Sequence, residues 1–140
     1  MQSLDLKYGK GVVTANLPDA SAAEVLVPAG AHLPEDEVAE VERALDSPIG
    51  SPRLESIARP GMKTVVMVSD GTRPCPSRKF LPSLLARLRR AGVRDADITV
   101  VFGMGIHRSQ TEAEKRSLVG DEVYRSVRCV ESTESGRFVY

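Results

Sequence analysis

Cysteine is scarce: the chain has only Cys75 and Cys129 among 140 residues, far apart and without paired spacing. That argues against a disulfide framework and against a zinc site. Net charge is absent too, since 19 Lys and Arg balance 19 Asp and Glu, so the basic excess of a nucleic-acid-binding domain is missing. Apolar runs stop at about strand length, far short of the roughly twenty residues of a membrane span. No charged-then-apolar leader opens the chain, and the expectation is a soluble, cytoplasmic protein. Histidine occurs twice, as His32 and His107. There is no internal repeat and no low-complexity tract. A length of 140 residues suits one domain with a real core, or one lobe of something larger.

What the chain does have is a strand-loop pattern written twice. Met62 to Val68 is apolar and Val-rich, the composition of a parallel strand buried on both faces, and this is taken as the central strand. It breaks into the polar turn Ser69-Asp70-Gly71-Thr72-Arg73-Pro74 and continues to Pro76. Asp97 to Phe102 repeats the apolar, β-branched run and breaks into Gly103-Met104-Gly105-Ile106-His107-Arg108. Both breaks fall at carboxyl ends of predicted strands, the edge where open α/β sheets bind ligands.

The remaining elements follow from period and punctuation. Residues 3–17 alternate around Tyr8-Gly9-Lys10-Gly11, a hairpin with one wet face, expected at one edge of the sheet. Glu24 to Pro28 reads as a short strand, 35–45 as a helix with acids in its first turn, and 53–58 as a short helix. A Leu-rich helix runs from Ser77 or Pro76 to Ala91 with Gly92 as its stop, and Pro82 sits in its first two turns, where a missing N–H costs least. Strand, helix and strand make a right-handed βαβ crossover. Arg87, Arg89 and Arg90 are expected on the solvated outer face of that helix. Thr111 and Glu114 form a capping box for a helix ending at Gly120, 121–126 adds a turn, and 127–130 is a last strand before a polar tail. The fold class expected is α/β, a mostly parallel sheet in Rossmann-like layers with flanking helices and an N-terminal antiparallel hairpin.

The chemistry-bearing residues have plain readings beside functional ones. Asp70, Gly71, Thr72 and Arg73 precede a helix, so free N–H groups, the helix dipole, a hydroxyl and a guanidinium could converge on a phosphate or carboxylate. An Asp-Gly turn serves as readily as a helix cap. Covalent phosphoryl transfer of the haloacid-dehalogenase kind is excluded, because Val68 stands where that nucleophilic aspartate would be. A dinucleotide fingerprint is excluded by Arg108 in place of the third glycine. Histidine as a residue type suits general acid/base work at neutral pH, which makes His107 a candidate, although a lone loop histidine is more often a surface residue. The adjacent Asp/Thr/Arg turn raises its standing, because two neighbouring strand tips form one rim. Cys75, between two prolines, is more often incidental than a reactive thiol, and His32 is read as a plain loop residue.

Ser69 to Pro76, the Leu-rich helix, the Gly-Val turn, then Gly105-Ile106-His107-Arg108, Thr111-x-x-Glu114 and a Leu-x-Gly ending at Gly120 together resemble the amino-terminal domain of the lactate racemase family. The resemblance implies a nickel-pincer nucleotide cofactor held by Asp70, Gly71, Thr72 and Arg73. By the same resemblance Arg73 would also meet substrate oxygen, and His107 would match one of two histidines that exchange the hydroxyl proton of a small 2-hydroxyacid. It implies hydride transfer to a pyridinium and return to the other face. Ile106 departs from the threonine usual in that turn. The family's second acid/base histidine, cofactor-anchoring lysine and nickel-ligand histidine lie downstream of this region, so no metal ligand is expected here. Residues 1–140 then form a single α/β domain of a larger two-domain racemase, partnered by its missing C-terminal domain and inactive alone. The reading from another class is a non-catalytic anion- or nucleotide-binding α/β domain.

Overall fold

The computed structural model describes residues 2–18, 24, 26, 29, 30, 34–73 and 75–134. The short strand expected over 24–28 falls mostly outside them, and His32 and the tail beyond 134 fall outside wholly. The chain divides into two compact units, Met1–Leu33 and Pro34–Tyr140. In the first, β1 (Gln2–Tyr8) and β2 (Gly11–Leu17) pair antiparallel, Leu6 opposite Val13 and Tyr8 opposite Gly11. Gly9, at φ +56°, takes the first central position of the turn, where glycine avoids a Cβ clash. This hairpin is a two-stranded sheet of its own, a correction to the edge position expected for it. Leu6, Tyr8 and Val13, which share one face of the hairpin, are all exposed.

The second unit carries the parallel sheet, of β3 (Thr64–Ser69), β4 (Ile98–Gly103) and β5 (Arg128–Glu131), in that order. Among the described residues five α-helices accompany it: α1 (Glu37–Asp46), α2 (Leu54–Ile57), α3 (Ser77–Arg90), α4 (Glu112–Val119) and α5 (Asp121–Ser126). None among the described residues is long and apolar enough to cross a membrane. Leu81, Leu85 and Leu88 recur at helical spacing on α3 and pack with Ile98, Val100 and Phe102 of β4 and with Val119 and Val123. Capping follows the sequence: Asp36 accepts from Val38 and Ala39 N–H at 2.9 and 3.1 Å, and Thr111 with Glu114 closes a full capping box. Pro82 is the sixth residue of α3, past the four N–H groups that lack partners, so it costs one helical bond after all.

Two expectations are overturned here. The strand after Met62 is an edge strand, and the central strand is β4. Nor is β3 buried on both faces, because Val65 is 63% exposed and Met67 72%. The register places Val65 beside Thr99 and Arg128, and Met67 beside Val101 and Val130, a face less covered among the described residues than the one carrying Ile98, Val100 and Phe102. Arg87 is the second correction: it is 5% exposed, bonded to Asp46, Glu42 and Glu55, not solvated.

The stop at Gly92 is a Schellman-type end, with Val93 N–H on the Leu88 carbonyl at 3.0 Å and Gly92 N–H on Arg89 at 2.9 Å. Gly92 has φ +86°, and a Cβ there would lie 2.6 Å from Pro60 Cγ. Gly92→Ala is expected to destabilise the fold by roughly 1–3 kcal/mol in urea unfolding, from left-handed strain alone before the Pro60 clash adds to it. Gly61→Ala, with a similar φ but open space around it, should cost less.

Candidate active site

Ser69 pairs with Gly103 at the ends of β3 and β4, so the two loops leave the sheet side by side. Asp70 is the first residue past β3 and is 2% exposed. Its Oδ1 accepts from the Thr72 N–H at 3.0 Å and from the Thr72 hydroxyl at 2.7 Å, an Asx-type turn. Its Oδ2 is thereby left to His107, whose Nδ1 pairs with it, while Thr72 Oγ1 lies 3.5 Å from the same nitrogen. The Thr72 hydroxyl and then the His107 ring hold the Asp70 carboxyl at about 2. An ionised carboxylate can only accept, so the imidazole proton belongs on Nδ1 and Nε2 is the ring's available base.

The histidine loop is shaped locally. His107 N–H bonds the Met104 carbonyl at 3.0 Å, and Gly105, at φ +55°, sits first in that turn, as a type II′ geometry requires. Arg108 makes a two-pronged pair with Glu114 at 2.7 and 3.0 Å, and Gln110 N–H donates to Glu131 at 2.7 Å. The result is a cleft of about 90 Å³ lined by Asp70, Gly71, Thr72, Met104, His107, Arg108, Gln110 and Glu114.

Asp70, Gly71, Thr72 and His107 are thus brought to one cleft. Arg73 stands on the same turn, exposed, and is not among the cleft's lining residues. Asp70 does not cap α3, whose cap position is Pro76 with no side-chain bond. The amides expected to face an anion are largely closed on the turn itself: Thr72 on Asp70 Oδ1, Arg73 on the Asp70 carbonyl, Cys75 on Arg73 and Ser77 on Cys75. The turn is too tight to leave them open. Cys75 accepts from the Ser77 hydroxyl at 3.4 Å, and burial pushes the Cys129 thiol up to about 11. Two contributors went unforeseen, Gln110 and Glu131. Gln110 has both amide atoms buried without a partner among the described residues, and a Cβ on Gly71 would stand 3.2 Å from its Nε2. A lone acid ending an apolar strand was the available signal for Glu131.

Three carboxyls have pKa values of about 2: Asp70 and, through Arg108 and the Thr111 N–H, Glu114 at these loops, and Asp97, just before β4 at the other end of the sheet, through Arg94 and Lys63. A folded pKa below the unfolded value of about 4 means the unfolded chain binds protons first. Their stabilisation is fully present above about pH 4 and is lost as pH falls through about 2. Calorimetry should therefore show a melting temperature nearly level from pH 7 to 5 and falling below pH 4. A midpoint that rises in the acid range would contradict these pairings.

Residues 8–140 match the lactate racemase N-terminal domain family. The lactate racemase of Lactiplantibacillus plantarum is 39% identical over 125 residues, covering 88% of this chain and 29% of that protein. The lactate racemase of Thermoanaerobacterium thermosaccharolyticum is 33% identical over 127 residues, with the same two coverages. The solved structure of the lactate racemase apoprotein from T. thermosaccharolyticum superposes with a TM-score of 0.72 at 31% identity, over 93% of this chain and 30% of that one. The chain spans under a third of the length of these relatives.

Proposed function

The chain belongs to the lactate racemase N-terminal domain family, and from that membership we propose that it is the cofactor- and substrate-facing part of a 2-hydroxyacid racemase or epimerase. The observation that carries this reading is the Asp70–His107 pair at the shared tip of two parallel strands. A buried carboxylate fixes the tautomer of a half-exposed imidazole, so Nε2 can take a hydroxyl proton and Asp70 can stabilise the imidazolium that forms. Thr72 holds the carboxylate by its other oxygen, which keeps Asp70 Oδ2 aimed at His107 Nδ1. Arg73, exposed on the same turn, is the group for the substrate carboxylate.

Removing the hydroxyl proton does not invert a carbon centre, and these side chains offer no hydride acceptor. A nickel-pincer nucleotide, when bound, supplies that acceptor. The cleft fits an edge of such a group: the absence of a side chain on Gly71 leaves space in front of Gln110, and the unpartnered Gln110 amide offers a donor and an acceptor behind it. Asp70, Gly71, Thr72 and Arg73 would hold it. Among the described residues no three His, Cys, Asp or Glu side chains gather to hold a metal ion. A 90 Å³ cleft, against the 300 Å³ or more of an enclosing ligand pocket, also supports a site completed by further protein. The exposure of Val65 and Met67 on one face of the parallel sheet supports the same view, because such sheets are ordinarily covered on both sides. We therefore read residues 1–140 as part of a longer protein whose remaining domain closes the site, and as inactive by themselves.

The test is interconversion of lactate enantiomers by the full-length protein. His107→Ala and Arg73→Ala should each lower it steeply. Parental rates in both would leave a non-catalytic nucleotide-binding domain as the reading.

A further inference from the structure

We infer that Glu131 and Ser132, at the tip of the third strand, are positioning residues that set where His107 meets Asp70. The loop from Met104 to Gln110 leaves β4 and enters α4, with His107 at its midpoint. Its two ends are both held from the tip of β5. On entry the Met104 N–H donates to Ser132 Oγ at 3.1 Å, and on exit the Gln110 N–H donates to Glu131 Oε1 at 2.7 Å. Ser132 is itself fixed, its N–H bonding the Phe102 carbonyl at 2.9 Å.

Glu131 is not where sheet packing alone would put a carboxylate. It is 4% exposed, lies beside Phe102 in the register, and occupies the covered face of the sheet, where an apolar side chain would be cheaper. Lys115 of α4 lies 3.2 Å from its Oε1, and Glu134 accepts the Glu131 N–H at 3.1 Å. Burial pushes the Glu131 carboxyl up, but the Gln110 N–H, the Ser109 hydroxyl and the Lys115 ammonium together hold it below its ordinary value. The clamp is therefore charged at neutral pH. Two of its three partners, Ser109 and Gln110, belong to the stretch that follows His107. With both ends tied, the loop's midpoint has one place to go, against Asp70. With an end released, Asp70 keeps its bond to Thr72 while the ring is free to leave.

The inference rests on His107 as the proton-handling residue, but its test reads the imidazole and not turnover, so the two can fail separately. Nitrogen-15 NMR of the chain resolves its two histidines, and a His32→Gln variant assigns them. A ring proton on His107 Nδ1 bonded to Asp70 should appear downfield and slow to exchange. Glu131→Ala should lose that signal several-fold, and Glu131→Gln, whose carboxamide oxygen still accepts the Gln110 N–H, should restore it. Val123→Ala, a core change remote from the loop, should lower melting temperature and leave the signal intact. A full-strength signal in Glu131→Ala, or an equal loss in Val123→Ala, overturns the assignment. If Glu131→Ala does not fold, Ser132→Ala releases only the entry anchor, and an undiminished signal there overturns the clamp.

Discussion

His107→Ala in the full-length protein should lower enantiomer interconversion by about 10²–10⁴-fold, the range a positioned general acid/base contributes. Its effect on folding should be small, because the ring is 43% exposed and its main partner is a single carboxylate. Chiral chromatography of lactate against time gives the rate, and a melting curve of the same sample separates chemistry from stability. Asp70→Asn sharpens the test. The amide keeps the volume but can donate as well as accept, so the Nδ1–H tautomer is no longer enforced and no charge faces the imidazolium. Its rate should fall too, with the loss growing wherever imidazolium formation limits turnover. An Asp70→Asn protein racemising at the parental rate would remove the dyad from the mechanism, even if His107→Ala were inactive.

The parts of this site that sequence made legible were those written in local chemistry. Two β-branched runs, each broken by a polar or Gly-rich loop, read as parallel strands with their loops at one edge, and the parallel register brings Asp-Gly-Thr and Gly-x-Gly-x-His together there. Thr111 and Glu114 were readable for the same reason, a fixed spacing with one mechanism. What stayed hidden depends on partners distant in the chain. The Val-rich run of β3 is identical in composition to a doubly buried strand, and only the sheet order and the exposure of Val65 and Met67 tell the two apart. Asp70 looked equally like a helix cap or an anion turn, and the answer was set by a histidine 37 residues later. Glu131 could not be told from any other acid after a strand until its bond to Gln110 was seen.

Arg87 is the clearest such case, and it carries the largest expected effect on stability. Three arginines close together on a helix read as a solvated face, yet Arg89 and Arg90 are exposed while Arg87 is buried. From α3 it holds Glu42 and Asp46 of α1 and Glu55 of α2, so one guanidinium ties two helices to the helix that carries the core leucines. Arg87→Met keeps the apolar stem but removes the one charge shared by three carboxylates, leaving Asp46 and Glu55 only their longer contacts to Arg53 and Arg90 at 3.8 and 3.7 Å. Arg87 is buried but its carboxylates are 27–44% exposed, so water screens part of the charge left behind, and the melting temperature should fall by roughly several degrees at pH 7. Arg89→Met, which loses a half-exposed pair with Asp95, should cost about a tenth of that. The pH dependence identifies the cause. Arg87 lowers the pKa of Glu42 and of Asp46, and with Glu55's own backbone bond it lowers that of Glu55. Without it those groups accept protons at higher pH, which removes their repulsion. The gap between Arg87→Met and parent should therefore be widest near neutrality and narrow as pH falls towards 4. A gap of constant size across that range would show that Arg87 acts by filling space and not by its charge.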